Sequence, residues 1–545
     1  PAAREIAQTG AAIGRDFPYD LLVAVAARGE AEVRDALDRL VAAGLVFQRG
    51  TPPAAEYQFK HALVQDAAYG TLLRGARQAL HGRIASAIEA RMPDRVEREP
   101  ELLAYHLSEA GQHARAAPQW RKAGEKAVRR AANREAIEHF RRALATVETQ
   151  PEGEARWREE IAILSQLALP LMNLQGWSSA EVGETVERAA AVGRKLPSSR
   201  ELAPAVANLW IFHTASGRMD RAEEISADLF RIARETGDDE VLLQAHHSAW
   251  ATQFILGRLK EATEHVDAGA ALYDEQRHAH HRHLYLGHDP RTCGLNFAAA
   301  AQTAFGFLDR GLGMVREAVA FGRRLDHAPS QTNTLWRACE VFMMRRDVAA
   351  VLKTARDLVD LAEAHGILIA RANALLYLGW ARVQSGDVEE GIARIAEGRA
   401  THDAVGFRLH GSLSHGFYAQ CLSAAGRHAD GLELMRQAYE YVEETKERSY
   451  VSWLCRIRAN LTLHAFGPAE PTVEADLRRA VDIAKRQGTK LWELEAASDL
   501  ARLWAERGRR AEAADLLRPI YESFPEGLDT TPLIEAKAVL DALGP

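Results

Sequence analysis

The chain has 545 residues, too many for one compact core, so several domains or a repeat array are expected. Its net charge of −7, from 68 basic and 75 acidic residues, gives no electrostatic footprint for nucleic acid. The four cysteines (Cys293, Cys339, Cys421 and Cys455) stand far apart without a CxxC, which speaks against a disulfide framework or a zinc site and fits a reducing cytoplasm. No apolar run reaches membrane-spanning length, and even residues 367–383 are broken by Arg371 and Arg382. The N-terminus has no signal-peptide pattern. The chain opens on Pro1 with no initiator Met, so a fragment of a longer cytoplasmic protein, without a membrane partner, is expected.

Residues 2–12 read as a helix. Phe17-Pro18-Tyr19-Asp20 opens a second one, with the proline near its first turn, where its missing N–H costs nothing. Residues 30–43 form a third, with Val33, Leu37, Leu40 and Val41 on its apolar face and Gly44 as its stop. Leu45-Val46-Phe47 reads as a strand. Residues 50–55, with Pro52-Pro53, are a turn, and 57–60 are the return strand with Tyr57 and Phe59 on one side. Three helices and a two-stranded hairpin make a winged-helix pattern. Winged helices often bind DNA through the third helix. Here that helix carries Glu30, Glu32, Asp35 and Asp38 against Arg34 and Arg39, a balance of 2 − 4 = −2. The wing adds only Arg49 and Lys60, so phosphates would be repelled and no nucleic-acid partner is expected. Packing against another domain is the expected role. Leu63, Ala67 and Leu72, then Leu80, Ile84 and Ile88, repeat at helical spacing, so strand hands over to helix here.

From about Pro93 the chain is a repeat. Trp120, Gly124, Ala136, Phe140 and Ala143 fall at the spacings of the tetratricopeptide repeat (TPR), with departures at Ala123, Ala127 and Glu148. Farther on, Gly217, Gly257, Gly306, Gly386, Gly426, Gly467 and Gly508 mark the bends between paired helices, and Arg346 fills the slot between Gly306 and Gly386. The spacings are 40, 49, 40, 40, 40, 41 and 41. Five residues after most bends comes a small residue (Ala222, Ala262, Gly311, Gly391, Gly431, Ala513), which lets two helices approach closely. A period near 40 exceeds the usual TPR period of about 34, so each helix is nearly a turn longer. The expected fold is therefore predominantly all-α: a winged helix followed by a TPR-like solenoid with a concave face. The expected division is 1–92 for the winged helix and connecting helices, 93–150 for the first TPR-type hairpins, and 151–545 for the solenoid. The solenoid carries an inserted loop at 274–291, and residues 534–543 form a closing helix.

FKHALVQDAAYGTLLRGARQALHGRIA at 59–85, LAYHLSEAG at 103–111, YLGHDPRTC at 285–293 and TKLWELEAASDLARLW at 489–504 together resemble a family of bacterial signalling proteins. In that family a class III nucleotide cyclase precedes a STAND-type P-loop ATPase, a winged helix and TPR-like repeats. The resemblance implies an upstream ATPase and an adenylate or guanylate cyclase as partners in cis, with ATP or ADP and Mg as cofactors of that missing module. Related STAND regulators carry a DNA-binding or kinase domain instead. This chain contains no G-x-x-x-x-G-K-[ST], so it has no phosphate-cradling loop, no cofactor and no catalytic constellation of its own.

In STAND ATPases a winged-helix histidine can contact the nucleotide phosphate and hold the inactive state, and the resemblance puts His61 in that role. The bland alternative is a helix cap or packing on Tyr57. His278, His280, His281, His283 and His288 tempt a metal reading, but His-x-His-His-x-His without a nearby Cys is non-specific, and a solvated insertion loop with no metal is expected. The 285–293 stretch then makes His288 and Asp289 ligand-contact candidates at the concave surface. The tryptophans at 120, 210, 250, 336, 380, 453, 492 and 504 are expected in the core of the repeats. The expected function is a non-catalytic sensor region that binds an unknown protein or small molecule on its concave face and controls the upstream cyclase. The alternatives are a generic TPR scaffold and the sensor region of a STAND transcriptional regulator.

Overall fold

A computed structural model describes residues 2–197, 199–285 and 287–544. The chain divides into two compact units, Pro1–Leu167 and Ala168–Pro545. The expected boundaries at 92/93 and 150/151 both lie inside the first.

The first unit opens with α1 (Ala2–Ile13), β1 (Asp16–Pro18), α2 (Tyr19–Val25), α3 (Glu30–Ala42), β2 (Val46–Arg49) and β3 (Glu56–Phe59). The three strands form one antiparallel sheet in the order β1-β3-β2. The strand β1 went unread in the sequence. Asp16–Pro18 pairs with Glu56–Gln58, and Pro18 stands outside the first turn of α2 as its N-cap residue. Phe17, Tyr57 and Phe59 stack into the core beneath α1 and α3, where Val33 and Leu37 are fully buried. The alternation expected from Tyr57 and Phe59 is thus present. Next come α4 (Ala62–Gly70) and α5 (Arg74–Arg91). Leu80, Ile84 and Ile88 of α5 are buried as their spacing predicts. Leu63 is not, because α4 buries none of its residues and Leu63 is 80% exposed. In the TPR-type hairpin, His113–Arg129 and Asn133–Glu148, a Cβ on Gly124 would stand 2.5–2.7 Å from the Phe140 ring. The W-x3-G and A-x3-F spacings therefore record a real close contact.

The second unit is a run of antiparallel helical hairpins. Each predicted bend has a left-handed backbone: the glycines at 217, 257, 306, 386, 426, 467 and 508 and also Arg346 have positive φ. The two helices of a hairpin differ in burial. Leu368–Gln384 buries 13 of its residues, around its whole circumference, whereas Val388–Ala404 buries four. A helix buried all round is an inner helix.

Successive turns of the unit touch. Arg408 N–H donates to Ala215 O at 2.7 Å, and Arg448 N–H donates to Ile255 O at 2.8 Å. Ser449 Oγ donates to Phe254 O, 195 residues away. Such a gap is about five hairpins of the roughly 40-residue TPR-like period. Bends of one turn therefore hydrogen-bond to loops of the next.

Candidate functional site

A cavity of about 200 Å³ lies among the helices Ala328–Met344, Leu368–Gln384, Gly411–Ala424, Val451–Phe466 and Lys490–Glu506. Trp380 stands near the C-terminal end of its helix, and Trp453 and Trp492 near the N-terminal ends of theirs. Trp380, Trp453 and Trp492 wall the cavity together with Tyr450. All eight predicted tryptophans are buried, as expected for core positions, and three of them also face this space.

Its charged wall is Arg346, Arg456 and Glu495. The Glu495 carboxylate lies 2.5 Å from Arg346 Nη2 and 3.2 Å from Arg456 Nη1. Arg456 Nε also donates to Asp499 Oδ2 at 2.7 Å. Burial opposes the Arg456 charge, but Asp499 and Glu495 outweigh it and hold the guanidinium above its ordinary range. Behind this wall, buried Arg337 pairs with Glu340 at 2.8 Å and lies over the rings of Phe297 and Trp336 at 4.4 and 4.5 Å. Tyr450 Oη donates to Glu340. Arg337 Nε, Tyr377 Oη and both His410 nitrogens are buried without a hydrogen-bond partner among the described residues. The arrangement suits recognition of a small group with an aromatic or aliphatic body and a polar end.

A second, smaller cavity, about 30 Å³, is lined by Trp177, Trp336, Asn173, Asn333, Asn373 and His288, among others. Asn373 Nδ2 is buried there without a partner.

His61 is exposed and occupies the N-cap position of α4, but its side chain makes no cap bond, and Tyr57 is sealed in the core. Asp289 is fully buried. Its carboxylate caps the helix Pro290–Ala304, accepting from Arg291 N at 2.9 Å and Thr292 N at 3.2 Å, and also accepts from Tyr273 Oη at 3.0 Å. Burial pushes this carboxyl up, and the three donors pull it back. His288 is buried too, at the wall of the second cavity, with Nε2 3.2 Å from His247 Nε2.

The 274–291 insertion is not the solvated loop expected. His278 and His281 are wholly buried, and a short 3-10 turn, His281–His283, folds the segment onto the repeats. Gln244 Nε2 meets His281 Nδ1 at 2.7 Å, which gives the buried imidazole a polar partner. Two groups converge here that sequence spacing did not assemble. His247, His288 and Cys293 offer ligand atoms all within 4.8 Å of one another, and so do Glu240, His280 and His281. The available signal was the repeat period, because His247 and His288 are 41 residues apart and stand on neighbouring repeats.

No protein-family model matches the chain. An uncharacterized protein of Rhizobium meliloti (strain 1021) is 28% identical over 511 residues, covering 93% of this chain and 49% of that one. The chain thus spans about half the length of this curated relative. Among solved structures, the apo form of the quorum sensor NprR from B. thuringiensis is similar with a TM-score of 0.40 and 13% identity, over 67% of this chain and 97% of that one. A Rap protein complexed with competence and sporulation factor gives 0.39 and 10%, over 79% and 99%. A STAND protein with a tetratricopeptide repeat sensor from Pyrococcus horikoshii gives 0.29 and 11%, over 100% and 65%. Likenesses this distant carry no functional argument, and the fold is read from the helices themselves.

Proposed function

We propose that this chain is a non-catalytic sensor region whose inner cavity binds a small molecule or a peptide side chain, and that occupancy regulates an ATPase and nucleotide cyclase in a longer protein. The observation that carries this reading is the wall shared by Trp380, Trp453, Trp492, Arg346 and Glu495. It joins inner helices of five successive hairpins, so a ligand there bears on residues 149 apart in sequence. A ligand that prefers one packing of these helices shifts the population of that packing.

The first unit supplies the connection. Phe47, Leu63 and Leu73 are exposed apolar side chains of the same unit as the exposed His61. Under this reading they pack against the ATPase, and His61 donates from its imidazole to the bound nucleotide's phosphate. The acidic face of α3 suits a protein contact better than DNA.

Two measurements test the reading. Tryptophan fluorescence of the chain, titrated with a peptide and metabolite library, is expected to respond to a binder in the parent and not in Trp453→Ala. A response that survives Trp453→Ala places binding elsewhere. In the longer protein, His61→Ala is expected to release nucleotide faster. Unchanged nucleotide retention removes the phosphate role.

A further inference from the structure

We propose that His247, His288 and Cys293 form a zinc-binding site, built where one inner repeat helix meets the start of the next. His247 stands on the helix Asp239–Ile255, while His288 and Cys293 bracket the start of Pro290–Ala304. The proposal does not depend on the sensor reading.

The geometry fits a metal polyhedron. His247 Nε2 and His288 Nε2 are 3.2 Å apart, and the Cys293 sulfur completes a triangle with no side above 4.8 Å. Zinc bonds of about 2.0–2.1 Å to nitrogen and 2.3 Å to sulfur give tetrahedral edges of roughly 3.3–3.6 Å, so small side-chain shifts close the site. All three residues are buried.

A chain of polar contacts also sets the proton on His247. Glu240 Oε2, which only accepts, lies 3.5 Å from His281 Nε2. That assigns the hydrogen of His281 to Nε2 and leaves Nδ1 to accept from Gln244 Nε2 at 2.7 Å. The Gln244 amide oxygen then accepts from His247 Nδ1 at 3.2 Å. His247 Nε2 is left as a lone pair aimed at His288 and Cys293. A carbonyl holding the far nitrogen is the usual outer support of a ligating imidazole. Trp250 stacks on the His247 ring at 4.7 Å and 24°, which fixes its plane.

Two imidazole nitrogens and a thiolate select a borderline-to-soft cation such as zinc over magnesium or calcium. On binding, Cys293 gives its S–H proton to solvent as the Zn–S bond forms, and His288 exchanges its Nε2 proton for one on Nδ1, so that both imidazoles offer zinc a lone pair. Three protein ligands leave a fourth position for water or an incoming ligand. His288 also walls the second cavity, so the ion would stand next to a place a ligand can reach.

The test strips the full chain with a chelator and titrates it with cobalt(II) as a spectroscopic probe. One equivalent and a near-ultraviolet thiolate-to-cobalt charge-transfer band are expected. Cys339, Cys421 and Cys455 belong to no such cluster among the described residues, so the band reports Cys293. Cys293→Ser and His247→Gln, checked for unchanged helical circular dichroism, should abolish the band, and zinc should raise the melting temperature of the parent but of neither variant. His280→Ala should leave both readouts intact. Absence of the band in the parent overturns the site whether or not a variant folds. Cobalt binding that survives Cys293→Ser and disappears in His280→Ala also overturns it, and places the ion at the Glu240, His280 and His281 group.

Discussion

Arg346 holds a left-handed backbone, φ 54°, at the one predicted bend without a glycine, and its guanidinium reaches Glu495 at 2.5 Å and Glu535 at 2.6 Å. A non-glycine residue in that region carries strain of about 1–3 kcal/mol. The side chain offsets it by tying the fourth bend to helices 149 and 189 residues farther on. Arg346→Ala keeps the strain and removes both ion pairs, and Arg456 alone remains beside Glu495. A loss of about 2–3 kcal/mol is expected in chemical unfolding. Arg346→Gly should cost about 1 kcal/mol less, because glycine tolerates the same φ. Equal losses in the two variants would show that the bend is unstrained.

Glu447 is a buried carboxyl whose pKa burial pushes from 4.5 up to about 7, against bonds donated by Ser412 and Tyr441. The folded state therefore keeps a proton that the unfolded state gives up between pH 4.5 and 7. Stability contributed by this group is full below the unfolded value and falls as pH rises through that window. The ceiling is (7 − 4.5) × 1.36, about 3 kcal/mol. Glu447→Gln cannot ionise. The melting temperature of the variant minus that of the parent should rise steadily from pH 5 to pH 8. His410 Nδ1 lies 3.9 Å from Glu447 Oε1, and burial favours its neutral form. A pH-independent difference would mean that Glu447 titrates normally.

The small residue after most bends sets how closely the two helices of a hairpin cross. A Cβ on Gly391 would stand 2.6 Å from Gly379 O, inside the partner helix. At Gly386, where φ is 92°, a Cβ meets nothing within 4 Å. Gly391→Ala should therefore cost about 2–3 kcal/mol through forced separation of the helices. Gly386→Ala should cost about 1 kcal/mol through its backbone alone. The reverse order in denaturant melts would contradict the close-crossing explanation.

The repeat was readable because each bend needs positive φ and most crossings need a missing side chain, and both leave marks on single residues. Gly217 through Gly508, Arg346 and Ala222 through Ala513 carry those marks. The strand at Asp16–Pro18 left none, since its three residues take their conformation from β3 across the sheet. The burial of His278 and His281 was equally hidden, because a histidine-rich polar segment looks solvated until Gln244 supplies its hydrogen bond from another repeat. The cavity walls were half-legible. The tryptophans at 380, 453 and 492 announced burial, but the packing of one turn on the next, in contacts such as Ser449 with Phe254, lies far beyond any local pattern.

The most direct measurement is cyclic-nucleotide production by the longer protein carrying this region, compared for the parent, Trp453→Ala and Glu495→Gln at matched expression and matched helical circular dichroism. Control through the inner cavity predicts that both variants shift the basal yield or remove its response to a cavity binder, by fivefold or more for a coupling of about 1 kcal/mol or above. An unchanged yield and an unchanged response in both variants would contradict it.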